Sequence, residues 1–123
     1  MNPHVRISAA VFADWPGCRE SVGQDWARWC REGWLDAVCP MNYTHDPAAF
    51  AAKAAAHRAA VPPDFPILQG IGINAGQGTM DDPGHVALHV TLARQAGAAG
   101  FLGFCYRPQH TTKLLLPLRD WLR

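Results

Sequence analysis

Asp36-Ala37-Val38-Cys39-Pro40-Met41-Asn42-Tyr43-Thr44-His45-Asp46-Pro47 is the stretch that decides the fold class. Its apolar run, Ala37 to Met41, is too short for a helix and has the length of a buried strand. Four polar or amphipathic residues, Asn42 to His45, follow it. Asp46-Pro47 then opens an alanine-rich helical segment. An aspartate at the N-cap accepts hydrogen bonds from helical N–H groups that lack partners, and proline at the first helical position gives up no bond it needed. The unit reads strand, polar tip, helix. In α/β proteins, ligands bind at such tips, at the carboxyl ends of strands.

Working outward, the same plan recurs. His4 to Phe12 alternates with period two, Val5, Ile7, Ala9 and Val11 on one face, which predicts a strand with Ala13–Gly17 as its loop. Val22, Trp26, Trp29 and Cys30 at helical spacing predict one helix over Glu20–Glu32, closed by Gly33. The helix from Pro47 to Ala60 is stopped by Val61-Pro62-Pro63-Asp64. Pro66–Ile73 reads as a third strand, with a loop from Asn74 to Asp82. Asp82-Pro83 repeats the cap device and starts a helix ended by Gly97. Gly100–Tyr106 is a fourth strand, and Pro117 is expected to break the last helix and begin a final turn over Leu118–Leu122. Strand starts recur roughly every 30–34 residues, the length of a strand plus a crossover helix. Nearly continuous apolar strands alternating with helices predict a parallel sheet, its four strands in sequential order with four helices on one face.

Composition narrows the function classes. Residues 1–123 make one domain at most, with an ordinary globular balance of 49% hydrophobic and 17% charged residues. A net charge of +1 gives no electrostatic case for nucleic acid or an anionic membrane. No apolar run approaches the ~20 residues of a membrane span, and the first residues show no basic and apolar signal region. Cysteines 18, 30, 39 and 105 lack the paired spacing of a zinc site and read as free thiols, with one disulfide at most as the alternative. His85 and His89 share a helix face without the glutamate of a His-Glu-x-x-His motif, so a surface pair is expected and no metal site. Gly70-Ile71-Gly72 lies inside a strand and no Gly-Lys-Ser/Thr loop occurs, so neither a dinucleotide fold nor any cofactor is expected.

Three blocks carry a family resemblance: Ile7-Ser8-Ala9-Ala10-Val11-Phe12, Val22-Gly23-Gln24-Asp25-Trp26-Ala27-Arg28-Trp29, and Glu32-Gly33-Trp34-Leu35-Asp36-Ala37-Val38-Cys39-Pro40-Met41-Asn42-Tyr43. Gly70-Ile71-Gly72 and Gly100-Phe101-Leu102-Gly103-Phe104 match more loosely. With these the chain resembles the carboxyl-terminal half of the glycosyl-hydrolase-like 10 family, proteins assigned as glycoside hydrolases with a (β/α)8 barrel. The resemblance implies an α/β chain built of four β/α units of such a barrel, similar to strands five to eight. It also implies an upstream His-x-Asp-Tyr-x-Arg-Tyr-Pro-like block with a catalytic carboxylate, and nothing like that block occurs here. A fragment or a truncated paralogue is therefore expected, inactive in hydrolysis as an isolated chain. The alternative is a non-catalytic carbohydrate-binding or self-assembling half-barrel.

Glycosidases place two carboxyl groups about the scissile bond. The carboxylates near strand ends are Asp14, Asp46, Asp81 and Asp82; Asp46 and Asp82 have sufficient work as N-caps, and Asp14, two residues beyond the first strand with no such duty, is the candidate catalytic group. Trp15, Asn42, Tyr43, Gln69, Tyr106 and Arg107 are the candidate carbohydrate-binding residues: amides and phenols bond sugar hydroxyls, and aromatic rings stack on pyranose faces. Asp14, Asn42, Tyr43, Gln69 and Tyr106 are expected along one edge of the sheet. An opened barrel would expose the edges His4–Phe12 and Gly100–Tyr106 and the interior residues Ile7, Val38, Ile71 and Phe104. The partners expected are a carbohydrate and either a missing amino-terminal half barrel or a second copy of the chain.

Overall fold

A computed structural model describes residues 2–121 as a run of short parallel strands and helices. In chain order these are β1 (Ser8–Phe12), α1 (Gly17–Ser21), α2 (Trp26–Arg31), β2 (Ala37–Met41), α3 (Pro47–Ala60), β3 (Leu68–Gly72), α4 (Pro83–Gln95), β4 (Gly100–Phe104) and α5 (Pro108–Trp121). β1 pairs with β2 and β3 with β4, both parallel, with Phe12 opposite Met41 and Gly72 opposite Phe104.

The four strands follow one another in space, but not as the continuous sheet expected. They form two two-stranded sheets joined by a single parallel bridge between Val38 and Ile67. The cause lies in the sequence of β2. Val38 donates its N–H toward β3, to the Pro66 carbonyl at 3.1 Å. Alternate residues of a strand point the same way, so the next group aimed at β3 belongs to Pro40, which has no N–H to give. The ladder stops there.

Side chains sort by the strand period. Val11, Val38 and Ile67 pack under the first two units with Cys18, Trp26, Ala27, Cys30 and Val61. Ile71 and Ile73 pack with Phe50, Met80, Val86, Val90, Leu114 and Leu118. Both clusters lie between the strands and the helices. The expected interior set is therefore corrected: Val38 and Ile71 are fully buried beneath helices, Ile7 of the same period as Val11 is half-exposed beyond the end of β1, and Phe104 stands on the opposite face.

Three further expectations change. The helix expected over Glu20–Glu32 is two short helices, because Gly23 adopts a positive φ of 71° and Asp25 restarts the chain as an N-cap, accepting from Arg28 N–H. The first unit thus carries two helices, and the described residues form five. α5 runs through Pro117 without a break, its buried face formed by Thr111, Leu114 and Leu118; Leu122, the end of the expected final turn, lies outside the described residues. β1 begins at Ser8 rather than His4, since the Asp36 carboxylate takes the Ile7 N–H at 2.7 Å and pairs with Arg6. The bond from Ile7 N–H, with Arg6 beside it, holds the Asp36 carboxyl below its ordinary value. The four cysteines are free thiols.

Candidate functional site at the strand tips

Parallel pairing puts the carboxyl ends of all four strands on one side. Asp14 and Tyr43 each stand two residues past the registered pair Phe12 and Met41, so they share that end. Asn74 and Tyr106 likewise stand two residues past Gly72 and Phe104.

Tyr43 is the centre of the arrangement. Its ring lies across β3, where a Cβ on Gly70 would come 3.1 Å from Tyr43 Cε1 and a Cβ on Gly72 would come 2.8 Å from Tyr43 Cβ. Only glycine leaves that space. Gly76, at φ 69°, comes against the Tyr43 carbonyl oxygen from above. On β4 the Phe104 ring stacks on Tyr43, centroids 5.4 Å apart and planes 13° from parallel. Burial raises the pKa of the Tyr43 phenol above its ordinary value, with the Cys105 and Cys39 thiols adding to the effect, which favours the neutral hydroxyl. Tyr106, two residues past Phe104, is 71% exposed and lies against Thr111, Thr112 and Leu115 of α5.

The loops around these rings are tied to one another by imidazoles and amides. His45 donates Nε2–H to the Gly72 carbonyl at 2.8 Å, and its backbone N–H goes to Gln77 Oε1. His85 reaches the His45 carbonyl at 2.8 Å, while His89 faces the Thr44 and His85 carbonyls. The expected surface pair of His85 and His89 is corrected on this point: both serve to hold the tip after β2 against α4, and His89 is fully buried. Burial lowers the His89 pKa, the neighbouring imidazoles push the same way, and the bonds to carbonyls oppose them. Asn74 Nδ2 donates to the Cys105 carbonyl, and His110 meets Asp81 at 3.0 Å. No group of three or more metal-ligating side chains occurs among the described residues.

The candidate residues divide. Asp14 is exposed, and its carboxylate makes no hydrogen bond or ion pair among the described residues; it lies over Gly17, where an added Cβ would come 2.5 Å from Oδ2. Arg107 is exposed at the tip of β4, its backbone N–H spent on Thr111 Oγ1 and its guanidinium without an ion pair among the described residues. Asp46 and Asp82 are N-caps, bonded to Ala48 and Gly84 N–H at 2.9 and 2.8 Å.

Three candidates do not line the tip. Gln69 lies mid-strand on the helix side, fully buried, where its amide meets His57 Nδ1. His57 sends Nε2–H to the Ala13 carbonyl at 2.7 Å, so its other nitrogen accepts from Gln69 Nε2. Burial lowers the His57 pKa and favours that neutral ring. Asn42 also turns to the helices and donates to the Phe50 carbonyl at 3.1 Å. Trp15 packs on Trp26, ring centroids 4.9 Å apart, as part of the core margin rather than a free platform. All three position the tip. His57 and Gln69 hold the loop that presents Asp14, a role with no sequence signal short of knowing that α3 crosses behind β1 and β3.

Comparison of the chain with protein-family models, with curated proteins and with solved structures gave no match.

Proposed function

We propose that this chain forms four consecutive β/α units of a glycoside-hydrolase-like (β/α)8 barrel and binds carbohydrate across its strand tips without hydrolysing it alone. The observation that carries the reading is the stacked pair of Tyr43 and Phe104, set at the same end of the strands as the exposed Asp14 carboxylate and Tyr106. Aromatic faces pack on the apolar face of a pyranose, and a free carboxylate accepts bonds from its hydroxyls. The sequence blocks similar to the glycosyl-hydrolase-like 10 family support the same reading.

Hydrolysis needs a second carboxyl group across the scissile bond. At the tips Asp46 and Asp82 are spent as caps and Asp81 faces His110, which leaves Asp14. Binding without turnover follows. Titration calorimetry with a panel of neutral and amino-sugar oligosaccharides tests this: at least one should bind, and Tyr43→Ala should weaken that binding at least tenfold. Release of reducing sugar by the purified chain would contradict the non-catalytic part, and no binding across the panel would contradict the whole.

A further inference from the structure

We propose that a second copy of this chain covers the open face of the sheet, closing an eight-stranded barrel in which β4 of each copy lies beside β1 of the other. The inference rests on the half-barrel reading above and names its partner. Helices cover one face of the strands. On the other, Phe12, Leu102 and Phe104 are 48%, 46% and 49% exposed, apolar side chains at both ends of the strand order. Parallel strands are found with both faces covered, so this surface has an occupant.

The edges say what kind. Ile7 accepts bonds from Asp36 and Ala37 N–H, so alternate residues of β1 face β2 and the others, Ser8 and Ala10, direct their backbone groups outward. At Phe12 that outward edge is already closed, the N–H by Gln24 Oε1 at 2.8 Å and the carbonyl by Trp26 Nε1 at 3.2 Å. On β4 the Ala99 N–H goes to Ile67, so Gly100 and Leu102 face outward in turn. Four strands are too few to close on themselves, whereas about eight enclose a core that side chains can fill. A copy of the chain supplies four more in the same order and direction. A two-fold axis along the barrel keeps every strand parallel, makes the two seams identical and leaves no edge open.

Charge selects this seam over its alternatives. The segment following β1, residues 13–25, carries Asp14, Glu20 and Asp25 against Arg19. The segment following β4, residues 105–121, carries Arg107, Lys113 and Arg119 against Asp120. Pairing β4 with β1 of the other copy sets the basic segment beside the acidic one at both seams. Pairing like edges would set acid on acid and base on base.

Light scattering after size exclusion on the full chain at micromolar concentration tests the proposal. The expected mass is about twice 13.4 kDa. Leu102→Glu should give a folded monomer with unchanged far-ultraviolet circular dichroism. Glu20→Lys and Lys113→Glu should each loosen the dimer at least tenfold, and mixing the two variants should restore it, because each then meets its opposite charge. A stable monomer would overturn the proposal and assign the face to further β/α units of another kind. A dimer indifferent to both charge variants, or aggregates of no fixed mass, would overturn it equally. Sugar affinity is measured separately: a dimer that binds no sugar defeats the functional reading alone, and a sugar-binding monomer defeats this one alone.

Discussion

Tyr43 and Phe104 stack ring on ring across the tips of β2 and β4, with the glycines of β3 between their strands. A Cβ at Gly72 would stand 2.8 Å from both Tyr43 Cβ and the Ala75 carbonyl oxygen. The stack exists because β3 has no side chains there. Gly72→Ala should therefore cost about 1–3 kcal/mol through overpacking, read as a lower urea midpoint, and should weaken sugar binding as Tyr43 is displaced. Unchanged stability and affinity would show that the ring does not depend on that floor.

The caps and the free carboxylate should separate cleanly. Asp46→Ala and Asp82→Ala each remove an N-cap bond and should lower stability by about 0.5–2 kcal/mol, leaving sugar affinity within twofold. Asp14→Asn should do the reverse, since the Asp14 carboxylate bonds no other described residue. Calorimetry paired with thermal unfolding reads both quantities, and an affinity loss in Asp82→Ala matching that in Asp14→Asn would refute the division.

Acid should loosen the fold through two buried imidazoles. His57 and His89 have pKa values lowered from 6.5, chiefly by burial. The unfolded chain then binds more protons than the folded one, so stability rises with pH across the window. It is fully present above the unfolded value of about 6.5 and is lost as pH falls below it. The melting temperature should drop between pH 7 and pH 5, and ring-proton shifts should place both midpoints below 6.5. A flat melting profile over that range would contradict the assignment.

Much of the fold was legible because its signals are local. The Ala37–Met41 run and the two Asp-Pro pairs announced β2, α3 and α4 with their caps in place. What escaped depends on partners distant in sequence. Gln24 looks like a mid-helix residue until its amide is seen closing the edge of β1 at Phe12, with Gly23 turning the chain to bring it there. Gln69 reads as a carbohydrate-binding amide at the sheet edge, yet its strand parity points it at His57. The same parity sent Val38 and Ile71 under the helices. At the tip, Asp14, Tyr43, Tyr106 and Arg107 were legible from their places just past strand ends; the stacking of Phe104 was not, because it needs the glycines of β3 to bring the two rings together.

Carbohydrate contact at the strand tips is most directly tested by titrating a ¹⁵N-labelled sample of the chain with the tightest oligosaccharide of the panel and mapping amide shifts. Shifts concentrated at Asp14, Tyr43, Phe104 and Tyr106 are the predicted result. Shifts confined to the opposite end of the strands, where Val5, Ile7, Trp34 and Asp36 line a separate hollow, would contradict the account.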